Sequence, residues 1–295
     1  MNAIQLAGVT KVDSGETVLN SVSLSIPMGA FWVITGSGRS VSAVLSLVSG
    51  TARPDLGAAL LFGRPAHRVC NKPAFMRSDS FAFEHATLRA NVQAYALRRR
   101  VPHPVSASAE AMDAAGVDFR DKRVSECGIL ERRLGHLALA LVDKPRVLLI
   151  DEPCRGLVSA DAGEFMSVVR DVSREMGLTL VCGTKSPDSL RCLADSYAAF
   201  DGPSLRGIVK GSQLSEAGGE SHMVRTTNLA KDFAALSERL PASALSIELD
   251  TDEGLHFIRV TGCGETELGR LLHELGAVVI ELSHQRRTLA SLLDQ

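Results

Sequence analysis

The hydrophobic and polar positions change period several times along the chain, and each change marks an element. Val147 to Ile150 form a continuous apolar run that ends abruptly in Asp151, Glu152 and Pro153. A run without alternation suits a strand buried on both faces, as in a parallel sheet. Leu178 to Cys182 read the same way and predict the next core strand. Nearer the N-terminus, Asn20 to Pro27 and Gly29 to Ile34 predict two strands before a turn, with a helix expected from that turn to Gly50. Asn91 to Arg100 and Ala107 to Ala115 have helical spacing, with Pro102 and Pro104 expected to break between them. Glu131 to Val142 and Asp161 to Met176 predict two further helices.

The pattern is interrupted at Gln213 to Ser221, a stretch rich in Ser, Gly and Glu in which Gly218-Gly219 breaks regular structure. Beyond it, strands are expected at His222 to Thr227, Ala244 to Asp250, Leu255 to Thr261 and Ala277 to Ser283. Helices are expected at Leu229 to Leu240 and Glu265 to Leu275, with a short helix at the end. Thr251-Asp252-Glu253-Gly254 makes a hairpin turn between the middle strands. This β-α-β-β-α-β order predicts a ferredoxin-like α+β unit. The chain therefore reads as two domains, residues 1–216 and 217–295, and its 295 residues are comfortable for two.

Composition narrows the function. With 45% hydrophobic and 22% charged residues the chain suits a folded soluble protein. A formal net charge of −2 gives no whole-chain electrostatic case for nucleic acid. Arg98-Arg99-Arg100 reads as a solvated helix end. The six cysteines are scattered without a C-x-x-C pair, which excludes zinc-ribbon and thioredoxin-like motifs and suits reduced thiols. Met1 to Leu6 lack a basic n-region and an apolar core, so a cytoplasmic location is expected. No apolar stretch reaches the length of a membrane span. His85, His136 and His273 lack metal-ligand spacing and read as structural or solvated.

The chemistry concentrates where the buried strand ends. Two carboxylates there are costly to bury unless a metal or a charged partner meets them. Arg146 to Leu157, with Asp151-Glu152-Pro153 at its centre, resembles the Walker B motif and the start of the D-loop of ATP-binding-cassette (ABC) proteins. The resemblance covers roughly residues 3 to 212 in motif order and spacing. It implies a P-loop (RecA-like) α/β cassette with an antiparallel β subdomain and a helical subdomain at about residues 75–140. It also implies ATP and Mg²⁺ as ligands, with Asp151 on Mg²⁺ and Glu152 polarising the attacking water.

Most other positions depart from the family's motifs. A working P-loop reads G-x-x-G-x-G-K-[ST], and its Lys meets the β and γ oxygens. The corresponding turn is Thr35-Gly36-Ser37-Gly38-Arg39-Ser40-Val41-Ser42. Counting back from Gly50 puts Val41 on the Lys and Ser42 on the Mg²⁺-binding hydroxyl. Counting forward from Gly36 leaves the loop one residue short, and neither count supplies a Lys. Arg39 is expected at the loop tip, pointing outward. Val12-Asp13 stands where the family stacks an aromatic residue on adenine, Ser78 where the Q-loop Gln belongs, and Cys127-Gly128-Ile129-Leu130-Glu131 where the signature L-S-G-G-Q belongs. Val158 replaces the D-loop Asp, and Lys185 the switch His.

The resemblance therefore implies a cassette subunit of an ABC transporter with weak or absent hydrolysis. Its partners would be an integral membrane subunit and a second cassette, on the inner face of the cell membrane. A divergent but working ATPase that energises export is the alternative, and a repair- or translation-type ABC protein is disfavoured because those usually carry two cassettes or a long coiled coil, whereas this sequence shows one cassette and no sustained heptads. The C-terminal unit, with Glu281-Leu282 and Leu289 to Leu293, loosely resembles the tails of drug-exporter (ABC-2 type) subunits.

Overall fold

The computed structural model describes all residues except 37, 70–72, 78–80, 186, 191–192, 217–220, 242–243, 250–255, 262–264 and 286–295. The chain divides into two compact units, Met1–Gly211 and Ser212–Gln295. Among the described residues, no helix is long and apolar enough to cross a membrane.

The first unit opens with two long strands, β1 (Asn2–Asp13) and β2 (Glu16–Pro27), paired antiparallel. β2 alternates buried and exposed residues, with Leu19, Val22, Leu24 and Ile26 inward, as expected for a sheet with one wet face. β4 (Leu56–Leu61) and β5 (Arg64–Pro65) complete a four-stranded sheet in the order β2-β1-β4-β5.

The second sheet has six strands: β3 (Phe31–Thr35), β6 (Ala74–Met76), β7 (Val147–Asp151), β8 (Thr179–Thr184), β9 (Ser196–Asp201) and β10 (Ser204–Lys210). Their order is β10-β9-β3-β8-β7-β6. The contacts of β3 with β8 and β9, of β7 with β8, and of β6 with β7 are parallel. β7 and β8 are thus interior, and Val147 to Ile150 are almost fully buried, which accounts for their unbroken hydrophobicity.

Helix α1 (Gly38–Val48) lies in the main core and packs with both sheets through Val41, Val44, Leu45, Leu47 and Val48. It sits so close to β8 that a Cβ built on Gly183 would lie 2.6 Å from Val41 Cγ1 and 2.7 Å from Leu45 Cδ1. Three helices stand between β6 and β7: α2 (Leu88–Arg98), α3 (Pro104–Ala114) and α4 (Ile129–Leu141). α2 starts before the expected Asn91 because Thr87 caps it, its side chain accepting from the Ala90 N–H at 3.1 Å. The break expected between the two helices is present at residues 99–103, with Pro104 on its far side. Pro104 opens α3, where its missing N–H costs nothing. Helix α5 (Ser159–Glu175) then crosses from β7 to β8.

After α6 (Gly211–Glu216) come β11 (Ser221–Thr226), α7 (Leu229–Ser237), β12 (Leu245–Leu249), β13 (His256–Thr261), α8 (Glu265–Glu274) and β14 (Val279–Gln285). The strands form an antiparallel sheet in the order β12-β13-β11-β14, a split β-α-β topology. Val224, Leu236, Ile258, Val260, Leu268 and Leu272 form its own core. The turn at Thr251 to Gly254, the Gly218-Gly219 break and the terminal Leu289 to Leu293 lie outside the described residues.

The packing of α1 yields a direct test. Val41 is only 2% exposed within the core. Val41→Lys, which would restore a P-loop lysine if that position faced ligand, should instead place an unpaired charge in the interior. The expected cost is on the order of 3 kcal/mol, read as a lower urea midpoint. Unchanged stability would show that the side chain escapes the core.

Candidate functional site

The turn from β3 to α1 decides the shape of the phosphate region. β3 ends at Thr35 and α1 begins at Gly38, so only Gly36 and Ser37 link them, and Ser37 lies outside the described residues. A phosphate-wrapping loop needs four residues between its first Gly and the G-K pair. Gly36 adopts φ +136°, and a Cβ there would overlap the Phe200 carbonyl oxygen and lie 2.8 Å from Phe200 Cβ. The turn is therefore pressed against the end of β9.

The early helix start changes which residues stand at the loop. Gly38-Arg39-Ser40 takes the place of G-K-S at the helix N-terminus. Val41 and Ser42, expected at the Lys and Mg²⁺ positions, lie further into the helix. Val41 faces the core, and Ser42 is half-buried. Counting back from Gly50 assumed a helix of the family's length, whereas α1 starts sooner. Arg39 turns outward, ion-paired to Glu16 and 4.0 Å from Asp13. Ser40 is buried and donates its hydroxyl to the Gly202 carbonyl. Asp13 thus forms part of Arg39's surroundings at the place expected to meet adenine, and Val12 is exposed.

The two carboxylates occupy the far end of β7. Glu152 has φ +50°, a left-handed conformation that costs an ordinary residue on the order of 1–2 kcal/mol. Its N–H donates to the Gly183 carbonyl at 2.8 Å. Its carboxylate accepts from the Thr184 hydroxyl at 3.1 Å and from the Lys185 N–H at 3.0 Å. The group expected to polarise water is thereby fastened to the end of β8. Asp151 is half-buried, and burial, then the charge of Glu152, pushes its carboxyl above the usual range. Arg77, Arg155 and Lys185 pull it back. Asp151, Glu152, Arg77 and Arg155 line one cleft of about 570 Å³ together with Cys127 and Gly128. Sequence reasoning missed Arg77 and Arg155, because neither lies in a motif position with an expected charge.

Lys185 leaves β8 and lies over the start of α1. A Cβ added to Gly38 would overlap Lys185 Cε and stand 3.1 Å from its Nζ. The structure thus brings Lys185 to Gly38, and Asp151 and Glu152 to Gly128, but does not place Val41 at the loop.

These residues do not fit Mg²⁺. The Ser40 hydroxyl is committed to a carbonyl, the Glu152 carboxylate to β8, and Asp151 faces basic groups. Among the described residues no group of three or more His, Cys, Asp or Glu side chains is placed to hold a metal ion.

The signature-like segment forms the N-terminus of α4. Gly128 is its N-cap, and Glu131 accepts from the Gly128 N–H at 2.8 Å, the one half of a capping box that a glycine N-cap allows. Lys122 Nζ bonds both Glu131 oxygens at 2.8 and 2.6 Å. The negative charge of Glu131 is therefore paired. Ile129 is exposed, as is Val158 just before α5. Arg133 donates to the Arg155 carbonyl at 3.0 Å, tying α4 to the turn after β7. Ser78 lies outside the described residues. His136 stacks on Phe81 at 4.1 Å, while His85 and His273 are exposed.

Comparison with known proteins agrees with the architecture. The ABC transporter family profile matches residues 19–155. The methionine import ATP-binding protein MetN of Thermobifida fusca is 30% identical over 224 residues, covering 68% of this chain and 67% of that protein. The daunorubicin/doxorubicin resistance ATP-binding protein DrrA of Streptomyces peucetius is 27% identical over 267 residues, covering 85% of this chain and 78% of that protein. Several import ATP-binding proteins align over only 57% to 71% of their length. Among solved structures, cbiO1 from Clostridium perfringens, part of an ABC transporter complex, superposes with a TM-score of 0.66 at 18% identity. The match covers 81% of this chain and 96% of that one. Shared motif order, shared fold and relatives from both import and drug resistance lead to one conclusion: the chain belongs to the ATP-binding cassette family of ABC transporters.

Proposed function

We propose that this chain is a degenerate cassette subunit, which keeps the cassette fold to hold a membrane subunit and a second cassette while contributing little hydrolysis. The observation that carries this reading is the closed β3–α1 turn, with Val41 in the core and Arg39 paired outward to Glu16. A charge-assisted phosphate–Lys bond contributes about 1.5–3 kcal/mol, roughly one to two powers of ten in affinity. Neither residue supplies it. Fastening Glu152 to Thr184 and Lys185 also withdraws the group that would polarise water. The pair Asp151-Glu152, retained at the end of β7, is the observation that favours a working but divergent ATPase.

The relatives are ATP-binding proteins of import and drug-resistance systems, so a membrane subunit is the natural partner, and a second cassette the natural mate. That association would place the chain on the inner face of the membrane. Its own surface suits the first role. A cleft of about 640 Å³ between β6, α2 and α4 is lined by Phe75, Phe81, Phe83 and Tyr95, and Phe83 is 56% exposed at its rim. Exposed aromatic side chains beside an apolar cleft suit a docked segment.

Two measurements test the reading. Hydrolysis by the purified transporter complex should stay within about twofold when this chain carries Glu152→Gln, because its own site adds little transition-state stabilisation. A large fall would make this chain's site catalytic and end the degenerate reading. Phe83→Asp should change the stability of the isolated chain by about 0.5 kcal/mol or less, yet reduce the membrane subunit recovered with it. Equal recovery would move the docking surface elsewhere.

A further inference from the structure

We infer that the tip of the α2–α3 hairpin, with the basic rim beside it just beyond α1, lies against an anionic phospholipid bilayer, its arginines on the headgroup phosphates and Leu97 and Val105 entering the surface. The inference deepens the reading that this chain works on the inner face of a membrane, and rests on that reading for the identity of the anionic surface.

The Arg98-Arg99-Arg100 run closes α2, and Arg98, Arg100 and His103 are exposed at the turn into α3. Arg99 pairs with Asp143 at 2.6 Å, and Lys144 with Glu110 at 2.8 Å, so these two acids are already matched. Arg98 lies over the Tyr95 ring at 5.3 Å, and among the described residues no carboxylate pairs with it or with Arg100. A cavity of about 220 Å³, lined by Thr51, Tyr95 and Arg99, joins this end of α2 to the chain just beyond α1. There Arg53 and Arg68 are exposed and stand close to His67, whose pKa is lowered by burial and then by their two charges. Asp55, the carboxylate nearest Arg53 in the chain, is bonded to Lys11 instead. The rim is thus a set of arginines without acids to neutralise them among the described residues.

A cation in the last turn of a helix is explained by the helix dipole alone. The apolar side chains beside it are not. Leu97 is 63% exposed and Val105 66%, one on each side of the turn. Leaving both in water gives the fold nothing, whereas a bilayer surface takes apolar side chains together with their basic neighbours. The field of an anionic leaflet falls off within about 8 Å at physiological salt, so it acts on cations at the very face that meets it. Nucleic acid would engage the same arginines but has no use for Leu97 and Val105, and the whole chain carries a formal charge of −2. Tyr95 and Arg98 also border the aromatic cleft, so a bilayer at the tip and a membrane subunit in the cleft would meet the chain on adjoining surfaces.

The test is flotation of the full chain with vesicles of phosphatidylcholine and phosphatidylglycerol in equal parts, and with vesicles of phosphatidylcholine alone. The chain should favour the anionic vesicles about tenfold or more, and lose that preference as salt is raised. Each arginine near such a surface is worth about fivefold, so Arg98→Glu combined with Arg100→Glu should weaken binding about tenfold or more. Leu97→Ser combined with Val105→Ser should weaken it about threefold or more while leaving its salt dependence unchanged. Arg123→Glu, beside Thr87 at the opposite end of α2, should change it by less than about twofold. All five side chains are exposed, so the urea midpoints of the variants should match that of the unmodified chain. Equal binding to both kinds of vesicle, a loss in Arg123→Glu as large as in the arginine pair, binding untouched by either pair of substitutions, or retention by RNA and not by vesicles would each overturn the inference. Such a failure leaves the cassette reading intact, because that reading is decided by hydrolysis in Glu152→Gln and by recovery of the membrane subunit in Phe83→Asp. The two failures are therefore distinguishable.

Discussion

The contact of Val41 and Leu45 with Gly183 is the constraint from which the rest of the site follows. Burying side chains of this size contributes about 1.5–3 kcal/mol each, and here they reach the backbone of β8 because Gly183 has no Cβ. With the flank of α1 fixed on β8 in this way, only two residues separate the end of β3 from the start of α1. The turn has no length left to wrap a phosphate. Arg39 is carried to the surface, and Ser40 is turned onto the loop after β9. The region has gained packing at the place where its family spends backbone N–H groups on a ligand.

Two helix N-termini in the first unit show opposite solutions to the same electrostatic problem. A helix start carries partial positive charge and unsatisfied N–H groups. At α4 the chain supplies its own anion: Glu131 caps Gly128, and Lys122 neutralises it, so the terminus is closed within one segment. At α1 the helix carries its own cation, Arg39, paired outward to Glu16, and a second cation, Lys185, lies over Gly38 from another strand. The first terminus is closed by a carboxylate of its own segment, and the second stands between cations of two different elements. Glu152 belongs to the second arrangement, since its left-handed backbone and its two bonds to the end of β8 hold the Lys185 backbone in register.

The C-terminal unit has a separate logic. Its sheet pairs strands from both halves of a β-α-β-β-α-β chain, and its six-residue apolar cluster comes from strands and helices of that unit alone. Among its described residues His222, Thr226 and Asp232 are buried polar side chains.

The sequence by itself determined the interior strands β3, β7 and β8, the helices around them, the element order of the C-terminal unit, and that no lysine stands in the P-loop segment. Those properties are local: burial on both faces writes an unbroken apolar run at Val147 to Ile150, and a split β-α-β order writes its own alternation of strand and helix periods. Residue identity at Val41 and Lys185 is equally plain in the chain. Only the tertiary structure decided where α1 begins, that Val41 faces inward, that Lys185 reaches Gly38, and that Arg77 and Arg155 flank Asp151. The reason is that these meetings join residues far apart in the chain. They are set by the register of β3, β7 and β8, in which Asp151 lies opposite Gly183 and Thr35 opposite Thr184. Hydrophobic period reports which face of a strand is buried, but it carries no information on which distant strand will lie beside it or how far along the two will pair.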